Sequence, residues 1–258
     1  MTTALPALFR LDGRIALVTG ASAGLGAGIA RALAEAGAEV FLMARSREPL
    51  EALAGEIAGA GGRARALPCD VTDTAGLRAA VSGLPALDIL VNNAGTNIPE
   101  PVTAVTEEHL DTILGLNVRA VYLAAQAAVR RMLGDPERAR RQGVILNLSS
   151  QMGHVGSPNR TVYCMTKHAV EGLTKALAVE LAPSGIRVNS IAPTFVDTPL
   201  VRRVVDTPEK RAFVMDRIPM GRLATVEDVA AAAVYLASPA AAMVTGTSLL
   251  VDGGWTAQ

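Results

Sequence analysis

Cysteine is scarce in this chain of 258 residues: only Cys69 and Cys164 occur, too few for a disulfide scaffold and not at metal-ligand spacing. A reducing compartment fits that usage, and no metal site is expected. Net charge is missing too. Twenty-four lysines and arginines balance 24 aspartates and glutamates, which argues against a nucleic-acid surface and leaves small molecules or further subunits as partners. No apolar run is long enough to cross a bilayer without a charge or a glycine, so no membrane association is expected. Met1 to Arg10 lacks a basic region followed by a long apolar run, so no signal peptide is expected, and a cytoplasmic protein is the default. What the chain has in quantity is hydrophobic residues, at 50% against 19% charged, ample for a sizeable core.

Short apolar runs alternate with helical patterns along the whole length. Strands are expected at Arg14 to Thr19, Glu39 to Met43, Ala64 to Leu67, Leu87 to Val91, Val144 to Leu148, Arg187 to Ile191 and Ser248 to Val251. Helices are expected at Gly24 to Ala36, with Gly37 closing the C-terminus, and at Arg45 to Ala60, Thr74 to Ser82, Glu107 to Leu133, Thr161 to Leu181 and Val226 to Leu236. This alternation implies right-handed βαβ units and an α/β fold, a doubly wound parallel sheet of about seven strands with helices on both faces. No compositional break interrupts it, so residues 1–258 are expected to be a single domain. Asp135 to Gln142 is charged and reads as a surface loop. Phe195 to Gly221 is irregular and longer than a simple connection, and is expected to act as a substrate lid.

Four groups of residues carry chemistry. Gly20, Ser22, Gly24, Leu25 and Gly26 lie between the first strand and the first helix. Glycines there permit a tight turn and let a pyrophosphate approach free N–H groups at a helix N-terminus. The spacing is G-x-x-x-G-x-G rather than G-x-G-x-x-G, and a purely structural turn is the alternative. At the end of the second strand, where an NAD site places an acid, stand Ala44 and Arg45. A cation without a carboxylate suits a 2′-phosphate and points to NADP(H), with NAD(H) not excluded; a solvated arginine is the alternative. Asn92, Asn93, Ala94 and Gly95 end the fourth strand at the carboxyl edge, where open α/β sheets bind ligands; such residues are also ordinary turn formers. Asn147, Leu148, Ser149 and Ser150 end the fifth strand at the same edge. Ser150 has no G-x-S-x-G elbow around it, which leaves a serine-hydrolase interpretation unsupported.

Downstream, Tyr163 and Lys167 stand four apart, hence on one helix face. The Lys167 ammonium would favour the Tyr163 phenolate and produce an acid/base working near neutral pH. Such a pair also occurs by chance; the glycine turn and the serine thirteen residues earlier distinguish this one. His109, beside Glu107 and Glu108, reads as a solvated residue. His154 follows Ser150 closely and could line a substrate pocket.

Together these residues resemble the short-chain dehydrogenase/reductase family from about Leu11 to Gly254. The resemblance rests on T-G-x-x-x-G-x-G at Thr19 to Gly26, Asp70-Val71, N-N-A-G at Asn92 to Gly95, Asn117, Ser150 and Y-x-x-x-K at Tyr163 to Lys167. It implies a Rossmann-like fold in which Tyr163 is the catalytic acid/base. Lys167 would lower the tyrosine pKa and bind the nicotinamide ribose, Ser150 would orient the carbonyl, and Asn117 would hold a water in a proton relay. Asp70 and Val71 would contact the adenine, Asn93, Ala94 and Gly95 would line the adenine-ribose side, and Val196 and Thr198 would hold the carboxamide. Thr194 departs from the family's P-G-x-x-x-T, standing where glycine is usual. The three-residue gap between Tyr163 and Lys167 separates the chain from enoyl reductases with wider spacing. A homotetramer is the family expectation.

The function expected on these grounds is NADP(H)-dependent hydride transfer between a nicotinamide and a carbonyl or secondary alcohol, with a sugar acid, polyol or small ketone as substrate. A 3-oxoacyl-carrier-protein reductase is the alternative, on the strength of Arg130, Arg131, Arg138, Arg140 and Arg141. A non-catalytic dinucleotide-binding regulator would tend to lose the acid/base residues that are all present here. The substrate pocket is expected from Thr96 to Ile98, Gln151 to Val155 and the irregular segment.

Overall fold

A computed structural model describes residues 4–137, 142–198, 201–202, 205 and 207–258. Its seven strands are β1 (Ile15–Thr19), β2 (Glu39–Ala44), β3 (Arg63–Pro68), β4 (Ile89–Asn92), β5 (Gly143–Leu148), β6 (Ile186–Pro193) and β7 (Ser248–Val251). They form one sheet in the order β3-β2-β1-β4-β5-β6-β7, parallel throughout. Runs such as Ile-Ala-Leu-Val and Val-Ile-Leu are buried on both faces, as a parallel sheet covered by helices requires. The sequence places the strands well; β6 runs two residues further than expected, to Pro193.

Side chains alternate along each strand and feed two cores. Ala16, Val18, Val40 and Leu42 point to one face, against Ile29 and Leu33 of α2 (Gly24–Glu35), Leu50, Leu53 and Ile57 of α3 (Arg47–Gly59), and Val229, Ala233 and Leu236 of a late helix. Leu17, Phe41 and Met43 point to the other, against Leu77 and Val81 of α4 (Thr74–Ser82) and the helices that follow β4 and β5. A single-turn helix, α1 (Leu5–Leu8), precedes β1.

The expected helix from Glu107 to Leu133 is continuous but not uniform. α5 (Glu107–Leu114) passes through a π turn, Gly115–Ala120, into α6 (Val121–Leu133). The apolar period survives this insertion, which is why the sequence pattern conceals it. Length and composition alone would let these 27 residues cross a membrane, with a mean hydropathy of 1.3 in the best window. Here the apolar residues have another use: Ala124, Ala125, Ala128 and Met132 pack on the sheet, and Asn117 is buried in the π turn.

α7 (Thr161–Leu181) crosses the same face. Within the expected lid, α8 (Pro208–Met215) sets Val214 against Ile218 and Trp255 to form a small third core. α9 (Val226–Ala237) is the late helix of the first core and starts on a capping box of Thr225 and Asp228. Residues 199–200, 203–204 and 206 of the lid, and Arg138, Arg140 and Arg141 of the arginine loop, lie outside the described residues.

Candidate active site

The carboxyl ends of β1, β4, β5 and β6 meet at one edge of the sheet, and the expected site residues gather there. β1 ends at Thr19, whose hydroxyl donates to Val91 O (3.3 Å) and accepts from the N–H groups of Asn93 (3.0 Å) and Ala94 (3.1 Å). Asn93 Nδ2 returns two hydrogen bonds, to Thr19 O (3.0 Å) and Gly20 O (3.1 Å). Asn93 thus braces the glycine turn from beneath. The turn leaves no room for side chains: a Cβ on Gly20 would lie 2.9 Å from the Ala94 Cα, and one on Gly26 would strike Gly20 O. Gly20 and Gly24 also hold φ of +66° and +57°, which glycine alone adopts without strain.

α4, α5, α8 and α9 each receive a side-chain cap, from Asp73, Thr106, Thr207 and Thr225. α2 begins at Ala23 with none, and α3 begins at Ser46 with none. Uncapped first-turn N–H groups carry partial positive charge and suit phosphate oxygens. Ser22 and Gly24 are exposed beside the first of these helix starts, with Leu25 half-buried; Arg45 is exposed beside the second. The Asp70 carboxylate accepts from Thr72 N (2.9 Å) and Oγ1 (2.7 Å), which hold it below the usual carboxylate range, with the Arg45 charge adding to the effect. Val71 is buried against the second core. A narrow glycine cradle and two uncapped helix starts, the second beside an exposed cation, suit the phosphates of a dinucleotide.

On the other side of the edge the polar groups are buried side chains. Asn92 Nδ2 donates to Asn147 Oδ1 (2.9 Å), and Asn147 Nδ2 to Thr174 Oγ1 (2.9 Å), tying β4 and β5 to α7. Asn92 is therefore a brace and not a ligand. In the π turn, Asn117 Oδ1 accepts from Thr96 N (2.8 Å), while its Nδ2 donates to Thr96 O (2.8 Å) and Thr166 Oγ1 (3.3 Å). It clips the loop after Gly95 to α7. Ser150 Oγ donates to Gln151 Oε1 (2.6 Å) and accepts from Met152 N (3.1 Å).

Tyr163 and Lys167 share one face of α7, with the ammonium 5.5 Å from the ring centroid. The expected mutual tuning is not what the geometry produces. Lys167 Nζ donates to Leu148 O (2.7 Å), not to the phenol. Burial pushes the Tyr163 pKa up to about 12, opposed by a hydrogen bond with Ser150. Burial likewise pushes Lys167 down to about 8, opposed by the charge of Glu171. Desolvation penalises the charged form of each group, and it outweighs their attraction when the ammonium faces a backbone carbonyl.

Val196 forms a parallel bridge with Ala224, and Thr198 lies over the glycine turn, its methyl 4.0 Å from where a Gly24 Cβ would stand. Thr194 is buried with its hydroxyl unpartnered. The histidines differ from expectation. His109 is not simply solvated but paired with Glu100 (2.9 Å), and His154 Nε2 reaches Ser248 Oγ (2.9 Å) and Glu171 Oε1 (3.4 Å). Arg131 donates to Leu84 O and Pro85 O, so it is turned onto the protein and not toward a carrier. Gln151 lies in the expected pocket segment, whereas Thr166 and Glu171 were not expected in the site. Glu171 alone had a signal, since it continues the i, i+4 series of Tyr163 and Lys167.

A family model described as enoyl-(acyl carrier protein) reductase matches residues 20–256. The chain is 41% identical over 252 residues to the D-threitol dehydrogenase of Mycolicibacterium smegmatis, covering 96% of this chain and 95% of that one. To the L-xylulose reductase of Bos taurus it is 40% identical, covering 96% and 98%. The chain belongs to the short-chain dehydrogenase/reductase family. A gluconate 5-dehydrogenase from Burkholderia cenocepacia, solved in complex with NADP and tartrate, superposes with a TM-score of 0.92 at 37% identity, covering 98% of this chain and 99% of that one. As a short-chain dehydrogenase/reductase the protein is an oxidoreductase of the CH–OH/C=O type, and its cofactor is a nicotinamide dinucleotide.

Proposed function

We propose that this reductase uses NADP(H) in preference to NAD(H) and acts on a small polyol, keto-sugar or sugar acid. The observation that carries the proposal is the cluster on the β5–α7 side: a Ser150 hydroxyl against the Tyr163 phenol, with the Lys167 ammonium held beside the same ring. The nicotinamide supplies or accepts the hydride. Every other task falls to the chain.

Ser150 and Tyr163 converge on one point and orient a substrate oxygen there. Tyr163 Oη gives that oxygen its proton during reduction and takes it back during oxidation. With its pKa near 12 the phenol stays protonated at neutral pH, so it is ready to donate. Lys167 lies where its charge would meet a developing phenolate, and its ammonium, released from Leu148 O, is the donor for ribose hydroxyls. Asn117 holds the Thr96 loop against α7 and so fixes the wall behind Lys167, the place of the expected relay water. Gly20, Ser22, Gly24, Leu25 and Gly26 form the pyrophosphate turn, with Asp70, Val71, Asn93, Ala94 and Gly95 lining the adenosine side. Val196 and Thr198 close over the nicotinamide end.

Arg45, exposed beside the uncapped start of α3, is the group for a 2′-phosphate. The gluconate 5-dehydrogenase bound to NADP supports this cofactor, and it supports the substrate class together with the threitol dehydrogenase and the xylulose reductase. The residues 1–258 act as a single domain, with 195–221 as its lid. Exposed Tyr122, Met165 and Val179 on α6 and α7, and Leu250 on β7, fit burial in a cytoplasmic homotetramer.

The test is binding of NADPH and NADH, followed by absorbance loss across ketoses, keto-acids and polyols. Tighter NADPH binding with turnover on one of these classes is expected, and Arg45→Asp should reverse the cofactor preference by tenfold or more, on the order of the loss of one charged hydrogen bond. Equal NADH binding would overturn the role of Arg45. A second reading, reduction of a 3-oxoacyl carrier thioester, draws on the description of the matching family model. Turnover of an acyl thioester with none on ketoses would put it first.

A further inference from the structure

Beneath the Tyr163–Lys167 pair lies a carboxylate that the hydride-transfer chemistry does not employ. Glu171 is only 6% exposed and sits one helical turn past Lys167 on α7. Its Oε2 accepts from Ser190 Oγ on β6 (2.7 Å), and its Oε1 from Ser248 Oγ on β7 (3.1 Å). His154 Nε2 stands 3.4 Å from the same Oε1 and 2.9 Å from the Ser248 hydroxyl. The turn that carries His154 is pressed onto the helix at this level. A Cβ on Gly153 would lie 3.1 Å from Lys167 O and 3.2 Å from Glu171 Cγ. Among the described residues, Lys167 and His154 are the titratable groups recorded against Glu171, with the two serines as its hydroxyl donors.

A carboxylate buried this deeply needs compensation from hydrogen bonds and an opposite charge. Two hydroxyls supply the first. The second is Lys167, one turn earlier on α7 and itself buried; among the described residues its ammonium donates to the Leu148 carbonyl, an uncharged acceptor. The Glu171 charge opposes the burial that pushes Lys167 down.

We propose that Glu171 is a positioning residue acting through Lys167, a buried counter-charge that keeps the ammonium protonated and anchored beside Tyr163. Ser190 and Ser248 fix the carboxylate, and His154 links its outer oxygen to solvent. The proposal rests on Lys167 being the working lysine of the proposed reaction, but its test does not need turnover.

The chain has three lysines, Lys167, Lys175 and Lys210, and the last two are exposed. Reductive methylation with isotope-labelled formaldehyde therefore gives a sparse set of dimethyl-lysine NMR signals, and Lys167→Arg identifies the one that belongs to the site. In the wild type this signal should titrate well below the other two, in keeping with a pKa of about 8. In Glu171→Gln, which keeps the shape, exchanges one acceptor oxygen for an amide donor and removes the charge, its midpoint should fall by at least about one pH unit. Glu171→Asp should recover most of the shift. With active enzyme, the alkaline limb of kcat/KM should move down by the same amount in Glu171→Gln while KM for the carbonyl substrate stays within about twofold. An unchanged Lys167 midpoint in Glu171→Gln overturns the proposal, whatever happens to stability. Should that variant not fold, Ser248→Ala serves instead: releasing Oε1 should raise the midpoint, and no movement would again overturn it. A wild type that titrates as expected but turns over no carbonyl would sink the proposed function and leave this inference standing.

Discussion

The two halves of the sheet's carboxyl edge are built on different principles. On the β1–β4 side, the cradle at Gly20 to Gly26 is held by backbone groups, by one threonine hydroxyl and by an asparagine whose side chain bonds only to carbonyls. Nothing buried there is ionisable, and what matters is the absence of side chains. On the β5–β7 side the reverse holds. Lys167, Glu171 and the Asn92–Asn147–Thr174 ladder are buried; side chains hold Glu171 through Ser190 and Ser248 and hold the ladder together. A mutation in the first half should act through space and fit; one in the second should act through charge and protonation.

The contrast can be pressed hardest at Tyr163. Tyr163→Phe should lower turnover by roughly 10²–10⁴-fold, the usual worth of a positioned acid, while NADPH affinity measured by fluorescence stays close to wild type. A matching loss of binding would mean that the halves are not separable. Next comes Gly26→Ala, whose new methyl would collide with Gly20 O. Overpacking of this kind costs about 1–3 kcal/mol, so cofactor affinity should fall about tenfold to a hundredfold with the pH profile unmoved. A shifted profile would blur the distinction.

Asn147→Ala should cost about 1–3 kcal/mol of unfolding free energy by denaturant titration, because it removes two buried hydrogen bonds and leaves Asn92 Nδ2 only its long bond to Val121 O (3.4 Å) and Thr174 only its bond to Val170 O. A loss under about 0.5 kcal/mol would mean that water replaces the ladder. The smallest effect is expected outside both halves, at the α9 cap. Thr225→Ala should cost about 1 kcal/mol and leave binding and turnover alone. Its partner Asp228 is held down to about 2 by Arg222 and by the Thr225 N–H. A lowered carboxylate stabilises the fold above its ordinary range near pH 4, and that contribution disappears as pH falls toward 2. The wild type should therefore lose part of its stability across that window, and Asp228→Asn should not show this loss.

Much of this is legible in the sequence. Strands announce themselves through short apolar runs, and the strand-end residues fell on one edge because a parallel sheet puts them there. Thr74–Ser82 and Ser248–Val251 emerge with the boundaries that their flanking residues signal. What stayed hidden has physical causes. The π turn at Gly115–Ala120 adds one residue to a turn without disturbing the apolar stripe. The bracing role of Asn93 is hidden because nothing in N-N-A-G says that its amide bonds back to Thr19 and Gly20. Glu171, between a valine and a glycine on a helix with exposed charges, looks solvated; only the packing of β6 and β7 against α7 reveals it as buried. The tuning of Tyr163 failed as an expectation because helix spacing fixes which face a lysine shares but not where its flexible ammonium points.

The strand order has a bearing on how the protein is made. Residues up to Asn92 contain four strands that are already adjacent, β3-β2-β1-β4. From then on each new strand joins the free edge left by the one before it, so a nascent chain can extend the sheet without dismantling earlier pairings. Ser248 arrives with the last strand, so the Glu171 carboxylate loses one of its hydroxyl donors in any intermediate that lacks it. Protonation chemistry at Lys167 would then mature only after the cofactor cradle has formed, making its titration a reporter of the final step of folding.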